Sequence, residues 1–176
     1  MKPLDDKNLL MGYYKSLCYF AWAMVRDMDL AEDLVQDAYV AYLKHKEHVS
    51  ADEKAIKSFL YASIQHAVYN LNRKNKTIQK YVSRQDVHAV DEVDYEHRII
   101  KAEFMAAVQL IVKELPSACQ QVFKLSYFEG YSNQEICDEL SLSINTVKTQ
   151  KQRALNVLRK KIHPEFYSLL FLWATC

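Results

Sequence analysis

The side chains that could do chemistry fall into two blocks where cations are mixed with amides, hydroxyls and rings. Between 144 and 162 there are six basic residues and no acid, and Asn145, Thr146, Lys148, Thr149, Lys151, Gln152 and Arg153 crowd the start of that stretch. Short polar groups near a helix start can reach base edges while flanking Lys and Arg neutralise phosphates, which is what a helix laid in a DNA major groove requires. The other block, 54–85, holds 7 basic residues and no acid. Within it Lys54, Lys57, Arg73 and Lys74 bracket Tyr61, Gln65, His66, Tyr69 and Asn70. Cations interleaved with aromatic rings suit single-stranded nucleic acid, whose bases stack on the rings while the cations follow the backbone. Phe59 and Tyr69 fit a helix core equally well.

Covalent chemistry has little to work with. His45 and His48 stand three apart, but no third ligand follows at zinc spacing. Cys18, Cys119, Cys137 and Cys176 form no CxxC pair and no disulfide-like pattern, which fits a reducing cytoplasm. Gly12 and Gly130 cannot build a phosphate loop. The expectation is no catalytic residue, no metal and no cofactor. MKPLDDKNLL offers no apolar run suited to export, and Phe166–Trp173 is far too short to span a bilayer, so a cytoplasmic protein without membrane insertion is expected.

The elements that must position these blocks are helices. The 176 residues are half apolar, enough for one domain or two small ones, and contain only 2 glycines and 3 prolines. Periodicity predicts helices over 7–25, 31–43, 54–76, 95–115 and 117–127. Asp29 is the expected cap of the second. Ser132 with Glu135 three residues on forms a capping box for a helix carrying Ile136 and Leu140. After a Ser141-Leu142-Ser143 turn, a last helix keeps Ile144, Val147, Ala154, Leu155, Leu158 and Ile162 inward, giving a helix-turn-helix without the usual turn glycine. On 31–43, Asp33, Gln36, Asp37 and Val40 share the face opposite Ala31, Leu34, Val35, Ala38, Tyr39 and Tyr42, a strip fit for docking another protein. Residues 77–94 lose periodicity and turn acidic. The net charge of +1 hides this alternation: 86–143 hold 11 acids against 4 cations between the two basic blocks. An all-α protein of two small helical domains joined by a flexible linker is the expected fold.

These stretches together resemble the sigma-70 family of bacterial RNA polymerase initiation factors, in its small two-domain extracytoplasmic-function group. AEDLVQDAYVAYL resembles the family's region 2 helix that docks on the polymerase clamp helices. SFLYASIQHAVYNLNRKNK resembles the part that melts and reads the minus-ten element, and LPSACQQVFKLSYFEGYSNQEICDELSLSINTVKTQKQRAL resembles region 4, which reads the minus-thirty-five element. The resemblance implies region 2 over 1–76, a linker over 77–97, region 4 over 98–163 and an apolar tail over 164–176. It implies core RNA polymerase and promoter DNA as partners and leaves an anti-sigma factor open. Asp33, Gln36, Asp37 and Val40 would meet polymerase. Lys54, Lys57, Tyr61, Gln65, His66, Tyr69, Asn70, Arg73 and Lys74 would meet the minus-ten strand, and the seven residues from Asn145 to Arg153 the minus-thirty-five duplex. Gln65-His66 stands where Arg-Asn is frequent in the family, so promoter preference does not transfer. The alternative is an activator of response-regulator type that borrows the helix-turn-helix and needs no 31–76 pattern. For the tail, Phe166, Leu169, Leu170, Leu172 and Trp173 are too apolar to stay in water. They must pack on region 4, on region 2 in a closed form, or on a partner.

Overall fold

A computed structural model describes the backbone of residues 6–79 and 92–170, with side chains over 8–73 and 94–170. All the regular elements among the described residues are helical: α1 (Asp6–Val25), α2 (Met28–His45), α3 (Glu53–Gln79), α4 (Glu92–Lys113), α5 (Ser117–Tyr127), α6 (Asn133–Leu140) and α7 (Ile144–Lys161). Single 3-10 turns follow α2 at Lys46–His48 and α7 at Pro164–Phe166. Helix thus extends three residues past 76 and resumes at Glu92, further into the acidic stretch than the weak periodicity suggested. The chain divides into two compact units, Met1–Glu103 and Phe104–Cys176, with the first part of α4 in one and its second part in the other.

In the first unit α1, α2 and α3 bury a common core containing Leu17, Phe20, Ala21, Leu34, Val35, Tyr42, Ile56, Leu60, Tyr61 and Ile64. The turn from α1 into α2 differs from the expected one. Arg26 takes a left-handed φ of 58°, with its amide bonded back to the Trp22 carbonyl at 2.8 Å. The chain has therefore already reversed by Asp27, whose extended backbone makes it the cap: its carboxylate accepts from the Leu30 amide at 3.1 Å. Asp29 lies inside the helix. The Arg26 guanidinium rests over the Trp22 ring at 4.9 Å.

The second unit has two apolar clusters separated by α5. Cys119 and Phe123 join Phe104, Val108, Val112, Ala154, Leu158 and Ile162, while Val122 turns to Ile136, Cys137 and Val147 beneath the helix-turn-helix. The segment after α7 completes the larger cluster. Phe166 and Leu170 are buried in it, Leu169 is half-buried, and Phe166 meets Phe104 edge-on at 5.9 Å. Of the three destinations open to the tail, packing on its own unit holds for these residues; Leu172 and Trp173 lie outside the described part. Deleting a buried phenyl removes its transfer free energy and leaves a cavity. Phe166→Ala should cost about 3 kcal/mol of the second unit's stability, read from urea unfolding; a loss under a few tenths of a kcal/mol would mean the segment adds nothing to that core.

Candidate nucleic-acid interface

The helix-turn-helix is set by local hydrogen bonds. Ser132 closes a full capping box: its hydroxyl accepts from the Glu135 amide at 3.3 Å, and its own amide donates to the Glu135 carboxylate at 2.7 Å. Hydrogen bonding from the Ser132 hydroxyl and amide holds the pKa of the Glu135 carboxyl below the ordinary carboxylate value. Ahead of the box, Gly130 takes a φ of 76°, which suits glycine. At the other end of α6, Ser141 adopts the left-handed conformation (φ 53°, ψ 44°), and the Leu142 amide reaches back to the Cys137 carbonyl at 3.1 Å. The serine does a glycine's work in that turn, at the steric cost of its Cβ. Ser143 then caps α7, accepting from the Thr146 amide at 3.1 Å.

α7 buries Val147, Ala154 and Leu158 and turns its other side outward. Asn145, Lys148, Thr149, Gln152 and Arg153 are exposed there, and Thr146 is half-buried. Three of the hydroxyl and amide groups are already engaged: the Thr146 and Ser143 hydroxyls pair at 2.8 Å, Thr149 donates to the Asn145 carbonyl at 2.8 Å, and Gln152 donates to Asn156 at 3.3 Å. Asn145, Lys148 and Arg153 are exposed side chains outside those bonds. Lys151 differs from the expected outward cation. It is half-buried, donates to Asn133 Oδ1 at 3.1 Å and lies over the Tyr127 ring at 5.2 Å, and burial lowers its pKa. It ties α7 to α6. Ile144, expected inward, is 40 % exposed, because as the first helical residue it projects beyond the core that Val147 reaches.

In the first unit, α3 buries Ile56, Leu60, Ile64 and Val68 and exposes Lys54, His66, Tyr69, Asn70 and Arg73, with Gln65 half-buried. Lys74 belongs to α3, but its side chain is outside the described part. Tyr61 must be reassigned. It is fully buried, stacked edge-on to Phe20 at 5.0 Å, and burial pushes its phenol pKa up. It cannot stack on a base. The cause is its phase, one residue past Leu60, which the three-helix core encloses. Lys57 is held in an ion pair with Glu103.

On α2, Asp33, Gln36 and Asp37 are exposed and Val40 is 48 % exposed. The strip continues to Leu43, 56 % exposed, a position overlooked despite its i+3 spacing from Val40. Asp37 also borders a cavity of about 460 Å³ between α2 and α3, lined on one side by Leu34, Ala38 and Ala41 and on the other by Phe59, Ser63, His66 and Asn70. The fold therefore places Asp37, His66 and Asn70 in the lining of one cavity, although the sequence had assigned them to separate interfaces. Among the described residues no group of three His, Cys, Asp or Glu converges as a metal site, and no helix is long and apolar enough to cross a membrane.

Two helical units, of which the second carries a capped helix-turn-helix with a cationic outer side, make a bipartite helical protein of the DNA-binding class. Comparison with known proteins gives the family. The family description "Sigma-70 region 2" matches residues 9–78, and "Sigma-70, region 4" matches residues 105–158. Relatives include the ECF RNA polymerase sigma factor SigX of Bacillus subtilis, 29 % identical with 84 % of this chain and 78 % of the relative covered. The RNA polymerase sigma factor YlaC of the same organism is 26 % identical over 92 % of this chain and 95 % of its own. The ECF RNA polymerase sigma factor SigL of Mycobacterium tuberculosis is 21 % identical over 90 % and 86 %. The chain belongs to the sigma-70 family, in its extracytoplasmic-function group, and acts as a transcription initiation factor.

The left-handed turn gives a direct test. Ser141→Gly should raise the stability of the second unit by about 0.5–1 kcal/mol, since glycine meets no Cβ penalty there. An unchanged or lower midpoint in thermal unfolding would show that the turn holds no strain.

Proposed function

We propose that the two units grip one promoter at two places while the first also holds core RNA polymerase. In this reading Asp33, Gln36, Asp37 and Val40, with Leu43 extending the strip, dock on polymerase. His66, Tyr69, Asn70 and Arg73 meet the minus-ten strand, with Lys54, Lys57, Gln65 and Lys74 beside them. Asn145, Lys148 and Arg153 meet the minus-thirty-five duplex, with Thr146, Thr149 and Gln152 at its edge, and Lys151 holds the recognition helix in place. The region 2 part is 1–76 and the region 4 part 98–163, although residues 94–102 of α4 pack with the first unit. What carries the reading is the order of the two family matches along one chain, the first reaching over most of the basic block 54–85 and the second over the basic start of α7.

Linking two weak DNA contacts makes the second effectively intramolecular, which raises avidity without any new contact. Base capture from the melted strand then shifts the equilibrium towards open DNA, and no covalent step falls to this protein. It works in the cytoplasm with polymerase and promoter, and an anti-sigma protein would have to cover one of these same faces to restrain it. The activator alternative leaves the match to region 2 and the α2 strip without a purpose.

Reconstitution with core RNA polymerase and mapping of transcript starts tests the function as a whole; no start beyond those of core alone would sink it. On α2, Asp37→Lys should weaken core binding about tenfold with helix content unchanged in circular dichroism. Unaltered capture of core by the variant would remove the strip from the interface. On α7, Lys148→Ala should lower the salt slope of promoter binding by roughly one phosphate. Arg153→Ala should cost about 1–3 kcal/mol and relax preference at one base pair. A footprint and salt slope untouched by either change would mean that α7 is not the reading helix.

A further inference from the structure

On α3, Lys57 is held by a carboxylate from another helix. Its ammonium is paired with the Glu103 carboxylate, and the two side chains keep only 31 % and 21 % of their exposure. Glu103 comes from α4, within the acidic stretch between the two basic blocks, and packing holds it there. Tyr95, Ile99 and Ala102 of the same helix join the apolar cluster of the first unit, and Tyr95 stands edge-on to Phe20 at 5.8 Å. Glu103 Oε1 is buried. Beside it lies the Tyr61 hydroxyl, also buried, with Ser16 and Glu103 as its polar neighbours. Tyr13, which donates to Glu53, feels the charge of both Glu53 and Glu103. Two carboxylates, Glu53 and Glu103, thus lie at one end of α3, and the second holds the Lys57 ammonium.

We propose that Glu103 is an internal substitute for a DNA phosphate: it occupies Lys57 in the free protein and is displaced when the backbone of the minus-ten strand takes its place. This rests on the reading of α3 as the minus-ten face. A carboxylate and a phosphate oxygen compete for the same ammonium, and an ion already paired within the protein releases no counterion when DNA arrives. The pair therefore lowers affinity for bare single strand and makes binding depend on loosening residues 94–103 from the unit. A half-buried pair with apolar support is harder to exchange than a surface one.

The test uses the full chain and a fluorescent oligothymidylate of ~15 nucleotides, with binding read by anisotropy across a salt series. Glu103→Gln keeps the shape and removes the charge. It should bind about three- to tenfold more tightly than wild type, and its salt slope should steepen by about 0.7, one extra phosphate contact on a single strand. Adding Lys57→Met to Glu103→Gln should return both values to wild type. A gain that persists without Lys57, or no gain at all while Arg73→Ala still weakens binding, overturns the latch and leaves the minus-ten reading standing. Absence of binding by either protein, or binding indifferent to Arg73, overturns both.

Discussion

The arrangement depends on one constraint repeated in each unit: a helix with an exposed polar side is held by a narrow apolar stripe along its opposite side. On α3 the stripe is Ile56, Leu60, Ile64 and Val68; on α7 it is Val147, Ala154 and Leu158, all buried. Burial at about 25 cal/mol per Å² fixes the rotation of each helix about its own axis. Turning α7 by one residue would carry Lys148 inward, and an unpaired ammonium in an apolar core costs more than the stripe supplies. The outward set is a consequence of the inward one. Tyr61 shows how sharp the boundary is: a single step beyond Leu60, it belongs to the core together with Phe20.

Where a recognition helix begins matters as much as how it is rotated, because only its first turns reach into a groove. Here that start is set by three serines in different backbone states. Ser132 and Ser143 are extended caps, and Ser141 is left-handed between them. The Lys151–Asn133 bond and the Tyr127 ring then fasten α7 to its neighbours from the side. At the far end, Phe166 and Leu170 close the core that holds α4, α5 and α7 together. The support of α7 therefore extends past residue 158, where the region 4 match stops.

Counting charges overstates what is available to a ligand. Lys57 pairs with Glu103, Lys161 with Glu114 and Arg98 with Asp94. The last two are exposed, and such pairs contribute little to stability and yield readily to a phosphate. Lys57 is different because its partner is packed in place. The acidic stretch between the basic blocks thus does more than offset their charge in the total: in one place it reaches back and occupies a cation of the neighbouring block.

How far the molecule could be read from its residues depends on the range of the forces involved. Helix positions, the capping box at Ser132 and Glu135, the α2 strip from Asp33 to Val40 and the cationic side of α7 were legible, since each rests on spacing within a few residues. The family resemblance joined them in order. The cap at Asp27 was misplaced by two residues because the left-handed turn at Arg26 leaves no mark in composition. Leu43 was visible in the spacing and overlooked. Tyr61 in the core, Lys151 bound to Asn133, Asp37 lining one cavity with His66 and Asn70, Glu103 on Lys57 and Phe166 against Phe104 belong to the tertiary structure alone. Each joins residues on different helices, or depends on which side of a helix a neighbouring helix covers. Local sequence carries the period of a helix but not the direction from which its neighbours arrive, and that direction decides which polar groups are buried, paired or left for DNA.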